Sequence, residues 1–133
     1  MLRSWILPVA VVGLGACMIG PTARSFPPAT GPQGIGADLR FEEDSQRIHG
    51  ELLAVQDTVF VLLSDAHRVV HVPISAIVVG RFTRRGTLIE DGWVSERSLA
   101  WLKLVSRFPA GLTPEISAKL LAMTGQAAPD WAP

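Results

Sequence analysis

The sequence predicts an α+β fold in which a small antiparallel β-meander is followed by two C-terminal helices. Short runs rich in Val, Ile and Leu recur between residues 48 and 82, with polar breaks between them, which is typical of antiparallel strands. After residue 98 the apolar residues change to helical spacing. The chain has 133 residues, a length that favours a single domain.

The first residues have the layout of a secretory signal. Arg3 gives a positive charge to a short polar opening, and the run from Ile6 to Gly20 has no charged residue. This run is 15 residues long and contains Pro8, whereas a membrane-spanning helix needs about 20 apolar residues. An export signal is therefore favoured over a permanent transmembrane helix.

The apolar run leads into Leu14-Gly15-Ala16-Cys17, which ends on the only cysteine of the chain. These four residues resemble the lipobox of bacterial lipoproteins. The resemblance implies that the Cys17 thiol carries a diacylglyceryl group and that residues 1–16 are removed as a signal peptide. In some members the new amino terminus carries a further acyl chain such as palmitate, and two or more chains anchor a protein stably. The alternatives are an ordinary signal peptide and a buried cysteine at a membrane segment.

The resemblance also carries an expected location. Met18 stands where an aspartate favours retention in the inner membrane in well-studied Gram-negative lipoproteins. A lipid-anchored protein of the outer membrane, facing the periplasm, is the expectation. Because the chain has no second cysteine, the exported domain cannot form an internal disulfide and must be held by packing.

The charge balance does not favour a nucleic-acid partner. The chain has 12 basic and 12 acidic residues, and removal of residues 1–16 takes away only Arg3, which leaves 11 against 12. Nucleic-acid-binding domains usually carry a basic excess or stripe.

Residues 17–38 are predicted to be a tether between the lipid and the folded part. Four prolines interleave with glycines in this stretch, and such a composition behaves as an extended or flexible spacer. The folded domain is predicted to span residues 39–125. The acidic patch Glu42-Glu43-Asp44 is interpreted as solvated surface at its edge.

The predicted strands are 48–55, 59–63, 68–72 and 77–82, with a short fifth strand at 87–89. Several of these runs are apolar on both faces. Curling of the sheet into a barrel, or packing of helices, must therefore cover the second face.

Pro73 ends a predicted strand, and Ile74-Ser75-Ala76 can form a single helical turn before the next one. A step of this kind between two strands resembles the last turn of small SH3-like or Sm-like barrels. The resemblance implies an architecture and no activity, since that fold hosts unrelated functions.

The first helix is predicted over 98–108, where Trp101, Leu104, Val105 and Phe108 recur at helical spacing. We interpret Trp101 and Phe108 as core residues.

The second helix is predicted to begin after Thr113 as its N-cap, with Pro114 in its first turn, and to end at Gly125. The tail 126–133 has no pattern and is predicted to be disordered.

No catalytic motif is visible, since no serine lies in a nucleophile elbow and the one cysteine is assigned to lipid. The sequence therefore favours a non-enzymatic protein without a cofactor, which binds or holds another envelope protein. Trp93 and Trp131 are the candidate partner contacts, because aromatic side chains can anchor a partner.

Two alternatives stay open. A small metal-dependent or hydrolytic enzyme would use His49, His67 or His71. A carrier of small apolar ligands would line a cavity with the side chains Leu53, Val55, Phe60 and Leu62.

Overall fold

A computed structural model describes residues 34–42 and 46–132. Cys17, the signal peptide and residues 17–33 of the tether lie outside these ranges. The elements in chain order are β1 (Gly36–Phe41), β2 (Arg47–Gln56), β3 (Val59–Ser64), β4 (Val69–Pro73), a 3₁₀ turn (Ile74–Ala76), β5 (Ile77–Phe82), β6 (Gly86–Glu90), α1 (Glu96–Val105), α2 (Pro114–Thr124) and β7 (Asp130–Trp131).

The seven strands form one sheet in the order β6-β5-β1-β2-β3-β4-β7. All neighbours are antiparallel except β4 and β7. The α+β class and the two helices after the main strands are thereby confirmed. The end strands β6 and β7 do not pair with each other within the described residues, so the sheet is open.

A simple meander is not the arrangement observed. β2, β3 and β4 follow one another in space, but β5 pairs with β1 instead of β4. The chain leaves the ladder at Pro73, where proline has no N–H to donate, and the predicted helical turn Ile74–Ala76 leads to the start of β5.

Strand β1 is a correction to the predicted boundary between tether and domain. The residues 36–38 assigned to the tether belong to this strand, which lies in the middle of the sheet between β2 and β5. Ala37, Leu39 and Phe41 are buried and alternate with less buried residues, a period of two. Burial of this face stabilises the strand, while Asp38 and Arg40 project from the other face.

A bulge in β2 divides the apolar core. The pairing with β3 shifts between Leu52 and Ala54, and four successive residues of the strand are buried. Arg107 N donates to Leu52 O at 3.0 Å and Phe108 N donates to Leu53 O at 2.7 Å, so the loop after α1 binds the bulged backbone. Side chains around the bulge consequently enter two different clusters.

The large cluster lies on the side of the sheet that receives α1, and the small cluster lies on the side that receives α2. The large cluster comprises Ala37, Leu39, Phe41, Leu52, Val55, Phe60, Leu62, Val70, Val72, Ile74, Ile77, Phe82, Ile89, Leu102 and Ala132. The small cluster comprises Leu53, Ala54, Val61, Val69, Phe108 and Leu120. Each helix supplies one fully buried leucine, and α2 covers the part of the second face that is formed by β2, β3 and β4.

The predicted stripe of α1 is wrong at two positions. Leu104 is 71% exposed, whereas Leu102 is fully buried and Trp101 packs against the large cluster. The helix ends at Val105, so Phe108 reaches the small cluster from the following loop instead of from the helix. Because Phe108 lies outside the helix, its burial does not indicate which face of α1 is buried.

The predicted helix ends are confirmed for α2. The Thr113 side chain accepts a hydrogen bond from Ile116 N at 3.2 Å, and Gly125 adopts a left-handed conformation with φ of 73°.

Candidate binding surfaces

A cleft of about 600 Å³ lies on the outward side of β1, next to the turn between β5 and β6. Its polar lining comprises Asp38, His49, Asp65, Arg81 and Arg84. The register pairs Asp38 with His49 on β2 and with Arg81 on β5. Directly paired residues project from the same face of a sheet. These three side chains therefore form a row across three strands.

Asp38 has an unusual environment within this row. Its Oδ1 atom is buried and accepts no hydrogen bond from the residues that the structure describes. The Nε2 atom of His49 lies 3.6 Å away, which is too long for a hydrogen bond but short enough for an ion pair with a protonated imidazole.

Four exposed arginines surround Asp38, and we call Arg40, Arg47, Arg81 and Arg84 the arginine face. Arg40 pairs in register with Arg47, two residues along the strands from the Asp38 row. Three of the four, Arg40, Arg47 and Arg81, also line a small cleft together with Asp38. Within the described residues, none of the four forms an ion pair with a carboxylate.

Sequence reasoning missed the arginine face. Arg40 and Arg81 are brought together only because β5 pairs with β1, and β1 was not predicted as a strand. The alternation of Ala37, Leu39 and Phe41 was the available signal, since it places Asp38 and Arg40 on the opposite, outward face.

The C-terminal tail forms the second candidate surface, and the prediction of disorder at 126–133 is corrected for the described residues 126–132. Strand β7 pairs in parallel with β4, with Trp131 opposite His71. Ala132 N donates to His71 O at 2.9 Å, and the Ala132 side chain is buried. The tail was missed because only two of its residues pair and its anchors are far away in sequence.

Gln126 is the strongest of these anchors. Its side chain is buried, and its Oε1 accepts a hydrogen bond from Val69 N at 2.6 Å. Its Nε2 donates to Val69 O at 3.1 Å. The amide thus satisfies both backbone groups of Val69, as a neighbouring strand would.

Trp131 is held in place and is nevertheless open to solvent. Its side chain is 62% exposed, and its ring lies edge-on to the His71 ring at a centroid distance of 4.9 Å. The neighbouring Asp130 accepts two hydrogen bonds of 2.8 Å from the Arg68 guanidinium.

These contacts affect two titratable groups. The hydrogen bonds from Arg68 lower the pKa of Asp130 below its ordinary value. Burial against β7 lowers the pKa of His71, because an apolar environment disfavours the charged imidazolium.

Trp93 is the second exposed aromatic residue. Its side chain is 68% exposed. The residue follows the turn after β6, where its backbone N–H donates to Glu90 O at 2.9 Å. Gly92 adopts φ of 75° in this turn and donates to Ile77 O at 2.7 Å. Both predicted contact residues, Trp93 and Trp131, are therefore accessible.

The three histidines of the metal alternative do not converge. His49 lies in β2, His67 lies in the turn after β3, and His71 lies in β4 against Trp131. In the described part of the chain, no group of three His, Cys, Asp or Glu residues could hold a metal ion.

The residues of the carrier alternative are buried in two separate places. Leu53 belongs to the small cluster, whereas Val55, Phe60 and Leu62 belong to the large one. They do not surround one common cavity.

Among the described residues, neither helix has the length and apolar character needed to cross a bilayer. Comparisons with protein-family models, curated proteins and solved structures found no match for the chain.

Proposed function

We propose that the protein is a lipid-anchored, non-enzymatic binding protein of the cell envelope, located at the outer membrane and facing the periplasm. The anchor is Cys17, at the end of the lipobox-like residues Leu14 to Cys17. The domain contacts another envelope protein through the surface that bears Trp131. Trp93 is a second contact position.

The observation that carries this proposal is that Trp131 is exposed and yet fixed. This exposed residue lies in a strand, against the His71 ring and beside the Arg68–Asp130 ion pair. Binding through a side chain that is already ordered costs less conformational entropy. Tryptophan is also among the residues that contribute most to binding at interfaces.

The finer fold we propose is an SH3-like arrangement. The strand order β5-β1-β2-β3-β4 and the 3₁₀ turn between β4 and β5 support it. Small sheets of this kind leave loops and edge strands free for binding, although the fold itself specifies no function.

A photo-crosslinking amino acid placed at position 131 of the full chain tests the proposal in native membranes. Leu104 is the matched control, since it is also a large apolar side chain with high exposure, on α1. We expect a reproducible protein adduct from position 131 that is absent from position 104. An identical set of adducts from both positions, or none from position 131, would contradict the proposal.

A further inference from the structure

We infer that the arginine face, Arg40, Arg47, Arg81 and Arg84, binds the anionic phospholipid headgroups of the bilayer that holds the anchor. The inference deepens the proposed function and rests on it for the location of the domain at a membrane. The contact would fix which side of the domain faces the lipid.

The four guanidinium groups are available for this contact. All four side chains are exposed, and none is neutralised by a described carboxylate at ion-pair distance. Arg68 and Arg107, by contrast, are paired with Asp130 and Glu51. A guanidinium presents several N–H donors in a plane that matches the oxygens of a phosphate group.

One end of the arginine face lies close to where the tether joins the domain. Gly36 begins β1, and its carbonyl accepts a hydrogen bond from Thr83 N at 3.0 Å. Thr83 stands between Arg81 and Arg84 in the chain, and Gly36 lines the same cleft as both arginines. Arg81 and Arg84 therefore lie beside the start of β1, whereas Arg40 and Arg47 pair with each other at its far end.

The length of the tether limits how far the domain can lie from the bilayer. Seventeen residue steps separate Cys17 from Gly34, the first described residue. A fully extended chain of that length spans at most about 60 Å. As the predicted flexible spacer it would have a typical end-to-end distance of about 23 Å. The tether therefore confines the domain to within about 60 Å of the bilayer, and electrostatic attraction adds to this confinement when the arginine face comes within about 8 Å of the surface.

The contribution of each arginine sets the size of the effect. A basic residue near an anionic membrane surface adds roughly a 5-fold preference for the bound state. Asp38 lies within the face and Asp65 lines the cleft beside Arg81 and Arg84, so both carboxylates oppose part of this attraction. Contact with the bilayer should therefore depend on anionic lipid and weaken with salt.

Such a contact also orients Trp131. The arginines lie on β1, β2, β5 and the turn after β5, whereas β7 occupies the end of the sheet beyond β4. Arg47 lines one cleft together with Asp130, the neighbour of Trp131. Arg81 and Arg84 are separated from β7 by several strands, so contact through these two arginines leaves Trp131 free for a protein partner.

Energy transfer from Trp101 to the lipid headgroups tests the inference. Trp101 reports on this region because the Arg85 guanidinium carbon lies 4.4 Å from the centre of its ring, and Arg85 follows Arg84. In the chain from residue 17, Trp93→Phe and Trp131→Phe leave Trp101 as the only tryptophan. The single thiol of Cys17 is then coupled to a maleimide lipid in vesicles that contain a dansyl-headgroup lipid.

We expect more energy transfer on vesicles with phosphatidylglycerol than on pure phosphatidylcholine. Arg81→Gln with Arg84→Gln should lower the contact equilibrium about 25-fold, the product of two 5-fold steps. Lys103→Gln with Lys119→Gln removes the same charge from the exposed sides of α1 and α2 and should preserve the contact. Near-ultraviolet circular dichroism checks that both double variants retain their packing.

Equal energy transfer on the two lipids, or equal losses in the two double variants, would overturn the inference and leave an acidic protein surface as the better occupant. Because the coupling to Cys17 is chemical, the result does not depend on acylation in the cell. If cells leave Cys17 unmodified, the proposed function fails while this experiment still decides the lipid contact.

Discussion

Arg68 and Asp130 are joined by two parallel hydrogen bonds of 2.8 Å, although 62 positions separate them in the sequence. The pair links the turn before β4 to strand β7, which is only two residues long. So short a strand has few backbone hydrogen bonds of its own. Its position therefore depends on side-chain contacts, and those contacts present Trp131 to solvent.

The ion pair makes a prediction about titration. In the folded protein the pKa of Asp130 lies below its ordinary value, because the carboxylate accepts hydrogen bonds from Arg68. A lowered pKa means that the stabilisation is present above the pKa of the unfolded chain and is lost as the pH falls through the folded value. Carbon-detected NMR should show the Asp130 pKa rising in Arg68→Gln. An unchanged value in that variant would contradict the assigned cause.

The partly buried imidazole of His71 should give the free energy of unfolding a second dependence on pH. Burial lowers its pKa, so between the folded value and the ordinary value of about 6.5 the unfolded chain binds more protons than the folded one. Stability should therefore fall as the pH decreases through this window. Urea unfolding at several pH values should show that His71→Gln removes part of this slope. The same slope in both proteins would count against the burial of His71 by β7.

Gln126 should be the most sensitive polar residue of the tail. Gln126→Ala leaves the buried N–H and C=O of Val69 without partners, which costs about 1–3 kcal/mol of unfolding free energy. Gln46→Ala is the control, since Gln46 is exposed, and its effect should stay within about 0.5 kcal/mol. Denaturant unfolding measures both. Equal small effects would show that the tail does not need this anchor.

Leu102 and Leu104 provide a matched pair for the face of α1. Leu102 is fully buried in the large cluster, so Leu102→Ala should lower the unfolding free energy by about 2–5 kcal/mol. Leu104 is 71% exposed, and Leu104→Ala should change it by less than about 0.5 kcal/mol. Thermal and urea unfolding give the comparison. A larger loss of unfolding free energy from Leu104→Ala than from Leu102→Ala would show that Leu104 lies on the buried face of α1, as its spacing predicted.

Local signals in the sequence were sufficient for most of the fold. Val, Ile and Leu runs marked β2 to β5, proline and the following turn marked the step between β4 and β5, and Thr113 and Gly125 marked the ends of α2. Each of these signals depends on residues close together in the chain, where composition and spacing act directly.

The parts that were missed depend on distant partners. β1 has Asp38 and Arg40 on its outward face and becomes a strand because β2 and β5 pair with it on both sides. β7 exists because Gln126 and Asp130 bind the backbone and side chains near β4. The arginine face follows from β1 in turn. No local pattern records such pairings, and the helix period alone could not separate Leu102 from Leu104.

The intact mass of the mature protein extracted from native membranes addresses the anchor itself, with a Cys17→Ala variant beside it. The proposed function predicts a chain that begins at Cys17 and carries the added mass of acyl chains, and an unprocessed Cys17→Ala variant. A wild-type chain without acyl mass, cut at another residue, would contradict the proposal and would make the protein a free one with an ordinary export signal.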